Sequence, residues 1–230
     1  MNPATGAAVI LTQHPVGNVD FAQVYDGLTW SPNGATIAAS AFAYDPGGSF
    51  GLARVVLVTL ANARTVDSVD FATNPDWGKS NRLLFEGYDL LEDDREWGIW
   101  DARMTSQHPA TNPIILGSLS WADESPVWAP DGRHFVTIRS TAGSRLAGGS
   151  WTTNEALMLF DRANPKDGRM ILLADHGYLD DPAWSPDGRY IVYTLRTDRG
   201  SDVWWLDALT GATGPLTRNG HSFDADWRPR

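Results

Sequence analysis

The chain has 230 residues, 42% of them hydrophobic, which is enough to bury a substantial core, and no 18-residue apolar run that would span a membrane. A formal charge of −10 without any basic cluster argues against nucleic acid, whose phosphates demand a positive face. No cysteine is present, so neither a disulfide framework nor a thiolate metal site can form, and the redox compartment stays open. Met1 to Gly6 lacks the basic segment and following apolar core of a signal peptide.

One unit recurs along the chain. Aligned on tryptophan, it reads LTWSPNG at Trp30, PDWGKSN at Trp77, PVWAPDG at Trp128, PAWSPDG at Trp184 and ADWRPR at Trp227. Each of the first four copies leads into an alternating apolar run, which predicts a strand, a tight turn and a second strand at the period of a propeller blade. In chain order, residues 2–6 align with Asp207–Gly211, the turn between third and fourth strands, so 7–13 is an outer strand. The first complete blade has strands near 27–31, 35–43, 55–61 and 64–70, the second near 74–78, 82–90, 97–103 and 112–117. The third uses 126–129, 134–141, 155–162 and 169–175, and the fourth 182–185, 189–197, 202–207 and 213–218. Residues 223–227 then open a further inner strand. The expected fold is therefore an all-β propeller in a single domain over 1–230, with blades at about 27–70, 74–117, 126–175 and 182–218. Partial blades at 1–13 and 223–230 make it an incomplete ring, whose unpaired edges should favour association at high concentration.

The turn chemistry explains the motif. In Ser185-Pro186-Asp187-Gly188, proline presets the first corner, aspartate tolerates the second, and glycine takes positive φ. Ser31-Pro32-Asn33-Gly34 and Ala129-Pro130-Asp131-Gly132 repeat the recipe, while Asn81 takes the left-handed position in the weaker second copy. The tryptophans are expected to pack between blades. Asp101, Asp161 and Asp207 end the third strands at equivalent positions and should cap the turns that follow.

The run DPAWSPDGRYIVYT at 181–194, followed by VWWLD at 203–207 and GPLT at 214–217, resembles the TolB-type β-propeller family with its WD-like repeats; Ser125 to Ile138 match nearly as well. The copies at Trp30 and Trp77 depart from the pattern in the turn. The resemblance implies a bacterial, exported, cell-envelope scaffold, periplasmic or extracellular, that binds a protein or peptide. The same fold also serves peptidase gates and lyases.

Function is sought on the face carrying the long second-to-third loops, Tyr44 to Arg54, Leu90 to Trp97 and Ala142 to Asn154, because long loops on a rigid scaffold collect binding groups. Candidate partner-binding residues there are Asp45, Glu92, Asp93, Asp94, Arg95, Arg145 and Trp151. Just ahead of the repeat tryptophans, Asp26, Glu124, Asp180, Asp181 and Asp224, with Asp226, should gather at the mouth of the central channel, where carboxylates raise one another's pKa and invite a cation or a basic peptide. His14, His176 and His221 share a loop register, but a repeat consensus of the LTxHP type accounts for them without a metal. No G-x-S-x-G elbow, H-E-x-x-H pair or P-loop is present. The reading is a non-catalytic partner-binding propeller without a cofactor. The alternative is the propeller portion of an enzyme, either a prolyl-oligopeptidase-like gate or a metal-dependent sugar lyase.

Overall fold

The computed structural model describes residues 22–44, 50–61, 64–88, 97–103, 111–117, 121–141, 154–174 and 177–227. Among them are sixteen strands and no helix. Blade 1 consists of β1 (Ala22–Trp30), β2 (Thr36–Tyr44), β3 (Phe50–Thr59) and β4 (Arg64–Asp70), and blade 2 of β5 (Ala72–Gly78), β6 (Arg82–Tyr88), β7 (Trp97–Arg103) and β8 (Thr111–Leu116). Blade 3 consists of β9 (Trp121–Trp128), β10 (His134–Thr141), β11 (Asn154–Asp161) and β12 (Asn164–Ala174). Blade 4 consists of β13 (Tyr178–Trp184), β14 (Tyr190–Thr197), β15 (Gly200–Asp207) and β16 (Thr213–Pro215). Each blade is a four-stranded antiparallel meander in sequence order, and successive blades meet through their first strands, β1 on β5, β5 on β9 and β9 on β13. These are the four complete blades of a β-propeller that the repeat predicts.

The turns form as their residues dictate. Gly34, Gly132 and Gly188 sit at φ 67°, 69° and 72°, and each donates its amide to the residue that opens its turn, at 2.8, 3.0 and 2.8 Å. Asn81 takes the same place at φ 55°. The serines of two copies add a bracket of their own: Ser31 and Ser185 accept the amides of Thr36 and Tyr190 and donate to Asn33 and Asp187. Two of the third-strand aspartates cap the next turn and also pair with arginines. Asp161 and Asp207 accept amides of the next turn, from Ala163 and from Leu209 and Thr210, and pair with Arg133 and Arg189. Asp101 is buried and holds Arg82 of its own blade together with Arg162 of the next.

The first strands begin earlier than the sequence reading places them. Each has a bulge, between Asp26 and Thr29, Thr73 and Asp76, Glu124 and Val127, and Asp180 and Ala183, and the ladder resumes beyond it. At every bulge a left-handed residue stands three positions before the tryptophan: Gly27, Asn74, Ser125 and Asp181, at φ 48–56°. The extra residue bends the strand and re-aims what precedes it.

The core lies between blades. Ala38, Val55 and Leu57 of blade 1 pack with Leu83, Phe85 and Ala102 of blade 2; Leu84, Ile99 and Ile115 pack with Trp128, Phe135 and Phe160; Val136, Ile138 and Leu157 pack with Ile191, Tyr193 and Leu206. Trp77, Trp128 and Trp184 join these seams, but Trp30 is 58% exposed because no described blade precedes it. Residues 223–227 form no strand, since no second strand stands beside them among the described residues. The expected outer strand 7–13 lies outside the described residues.

Candidate functional site

The bulges place the residues before each tryptophan at one end of the inner strands, where carboxylates of different blades meet. Glu124, at the β9 bulge, faces Glu86 of blade 2, Glu155 and Asp123 of blade 3, and Asp180 of blade 4. Loss of water around its carboxyl, and after it those four charges, push its pKa up to about 7. At the β13 bulge, desolvation first, then the neighbouring Asp224 and Asp180 carboxylates, raise Asp181 to about 7.

Some of these carboxylates are tied into the scaffold. Glu86 accepts the Ser125 amide at 2.5 Å and the Asn74 side-chain amide at 2.7 Å, and Glu155 accepts the Leu179 amide at 2.5 Å, so each staples its blade to the next. Burial pushes both pKa values up. Asp76 is a third staple: it accepts the Trp128 amide at 2.7 Å and the Thr29 hydroxyl at 3.3 Å. Burial raises it to about 6, with a further push from Asp226. Two cations answer the cluster, Arg139 on Asp123 at 2.6 Å and Arg196 on Asp180 at 2.7 Å. Arg139 also lies over the Trp121 ring at 4.1 Å.

Of the residues expected at the mouth, Glu124, Asp180, Asp181 and Asp224 come together. The carboxylate of Asp26, on blade 1, accepts the following Gly27 amide at 2.8 Å. Asp45, Glu92, Asp93, Asp94, Arg95, Arg145 and Trp151 lie outside the described residues, as do His14 and His176. His221 bridges to Ser201 by its backbone and lies near Asp202, whose pKa it helps lower. Among the described residues no group of three or more carboxylates or imidazoles is disposed to hold a metal ion. Sequence reasoning missed Glu86, Glu155, Asp123 and the two arginines. The available signal was a charged residue inside an apolar strand, as in Leu83-Leu84-Phe85-Glu86, which needs a buried partner. The arrangement can hold an ammonium or guanidinium group among carboxylates that exceed their local cations.

No protein-family model matches the chain, and no curated protein matches it. Solved structures do. The chain is similar to TolB from Acinetobacter baumannii, at 10% identity and a TM-score of 0.57 over 90% of this chain and 58% of that one. It is similar to oligogalacturonate lyase from Vibrio parahaemolyticus, at 11% identity and a TM-score of 0.60 over 89% and 56%. It is also similar to acylaminoacyl peptidase from Pyrococcus horikoshii, at 10% identity and a TM-score of 0.58 over 86% and 33%. These likenesses carry the TolB-like propeller fold alone, and the chain spans between a third and three-fifths of the length of these structures.

Proposed function

We propose that this chain is a non-catalytic, TolB-like propeller that binds a basic segment of a protein or peptide partner at the inner-strand ends, on the face that also carries the loops 44–54, 90–97 and 142–154. The observation that supports this reading is the meeting of Glu124, Asp180, Asp181 and Asp224 from three consecutive repeat units, with Glu124 and Asp181 driven to about 7. Carboxylates crowded to that point gain free energy when a cation arrives. Arg95, Arg145 and Trp151 on the loops supply contacts to the rest of the partner. Replacing all three by alanine weakens the complex with any protein partner isolated, and undiminished binding, with loss from changes on the short-turn face, reverses the assignment.

A lysine decapeptide titrated calorimetrically into the protein tests the acidic site itself. The wild type binds it, and more tightly as pH rises from 6 to 8, because Glu124 and Asp181 lose their protons over that range. The triple variant E124Q, D180N, D181N binds at least about tenfold more weakly. The charge-matched variant D70N, D167N, D198N stays within about threefold of wild type. Equal losses in the two variants contradict the reading, since diffuse net charge then does the binding.

A second reading, a propeller that gates a peptidase or forms part of a sugar lyase, draws its support from the likeness to acylaminoacyl peptidase and oligogalacturonate lyase. It predicts decapeptide binding indifferent to the E124Q, D180N, D181N triple variant.

A further inference from the structure

The four blades are copies of one unit, so a residue pair that departs from its counterparts at one ladder position marks what a blade carries beyond the needs of the fold. Counted from the repeat tryptophan, Arg139 of β10 and its ladder partner Asp123 of β9 correspond to Leu195 and Leu179 in blade 4 and to Gly87 and Ala72 in blade 2. Blade 1 has Ala41 in the arginine's place. The other three blades therefore fill that place with leucine, glycine or alanine, and blade 3 puts an ion pair there. Asp123 is fully buried and accepts the Thr137 hydroxyl at 2.7 Å, Arg139 Nε at 3.2 Å and Arg139 Nη2 at 2.6 Å. Taking such a pair out of water costs free energy that the aliphatic pair of blade 4 does not incur. Blade closure does not require it.

The ion pair borders a cleft. Between blades 2 and 3 lies a space of about 450 Å³, within the range of small-molecule sites. Blade 2 contributes Ile114 and Ile115 to its lining, and blade 3 contributes Phe160 and the Trp121 indole. The Arg139 guanidinium carbon lies 4.1 Å from the centre of the Trp121 ring and 5.7 Å from that of Phe160, so two aromatic faces and Asp123 hold it in place. Asp123 occupies Nε and Nη2, and Nη1 has no hydrogen-bond partner among the described residues. Lys166 of β12 brings an exposed ammonium to the same cleft. At Gly168 the strand passes so close to Phe160 that a Cβ would overlap the ring. The counterpart space between blades 3 and 4 is only about 150 Å³, with Leu179 and Leu195 among its lining where Asp123 and Arg139 would stand.

We propose that the cleft between blades 2 and 3 binds a small organic carboxylate with an aromatic body, its carboxylate on Arg139 and Lys166 and its ring between the isoleucines and Phe160. A guanidinium already oriented by a buried carboxylate loses little freedom when it takes a second anion. Two cations against one aspartate leave a positive charge for the ligand to answer, through a charge-assisted hydrogen bond in a partly desolvated site. The occupant is opposite in charge to that of the carboxylate cluster. Asp123 is shared: it crowds Glu124 on one side and orients Arg139 on the other.

Phenylacetate is the probe, titrated into protein labelled with ¹³C at the isoleucine methyls, with phenylacetamide as its neutral counterpart. Saturable shifts at the Ile114 and Ile115 methyls are expected, and the amide binds at least about tenfold more weakly because it brings no charge to the two cations. Lys166→Glu changes an exposed side chain and weakens phenylacetate about fivefold or more. The variant D123L, T137V, R139L rebuilds the position with aliphatic side chains, keeps a cooperative melt and loses the shifts. If that variant does not fold, Lys166→Glu decides alone. Absence of saturable shifts at those methyls, equal binding of the amide, or phenylacetate binding unchanged in Lys166→Glu each overturn the proposal. Phenylacetate is an anion that the carboxylate cluster repels, so its result and that of the lysine decapeptide fail separately.

Discussion

Gly188 shows how a single residue can carry a turn through conformation alone. It stands at φ 72°, and a Cβ built there would meet only Pro130, at 3.7 Å, so space is not the obstacle. Gly188→Val should therefore cost about 1–3 kcal/mol from forcing a β-branched residue into the left-handed region. A thermal melt unchanged within error would contradict this. The residue was legible in sequence because Pro-Asp-Gly has one economical use, and Asn81 was legible for the same reason. The bulge residues were not. Gly27, Asn74, Ser125, Asp181 and Asp224 share one backbone conformation but differ in chemistry, since glycine, asparagine and aspartate all tolerate positive φ and Ser125 is held there by its neighbours. Only their fixed distance from the tryptophan unites them.

At the scale of elements, the blades are held to one another by polar staples as well as by apolar seams. Asp101 at the end of β7 is 1% exposed and takes Arg82 from β6 and Arg162 from the turn after β11, so it ties blade 2 to blade 3. Asp101→Ala leaves two partly buried guanidinium groups without their carboxylate and should destabilise by about 3 kcal/mol. Denaturant titration measures this. A loss below about 0.5 kcal/mol would mean that solvent serves the arginines as well. Strand order and the four hairpins were readable from the repeat, because period-2 runs bounded by turn residues have few alternatives. The early starts of β9 and β12 were not. The residues before the β9 bulge, and the polar Asn164-Pro165-Lys166-Asp167 that opens β12, break the apolar alternation on which a strand is recognised.

For the whole molecule, the carboxylates set the response to pH. Asp76 is raised to about 6, and Glu124 and Asp181 to about 7. The folded chain keeps these protons where the unfolded chain has released them, so their stabilisation is full below about pH 4 and fades as pH rises from about 4 to about 7. The opposite group, Asp161 held at about 2 by Arg133 together with the lowered Asp131, Asp202 and Asp207, contributes above pH 4 and is lost only as pH falls below it. The melting temperature should therefore be higher at pH 5 than at pH 8, and the E124Q, D181N double variant should flatten that slope. A protein more stable at pH 8 would reverse the sign and with it the crowding. The carboxylate cluster was partly legible, because the repeat register aligns residues that the fold then brings together. Glu86 and Glu155 were hidden in apolar strands.

The convergence of carboxylates from successive blades is the claim on which the functional reading rests, and site-resolved titration of side-chain carboxyl ¹³C resonances addresses it directly. Glu124 and Asp181 should each titrate near about 7, and E124Q and D181N should each remove one of the two transitions. If both carboxyls instead titrate in the ordinary range of roughly 4, the inner-strand ends do not crowd their charges, and the site proposed for a basic partner does not exist.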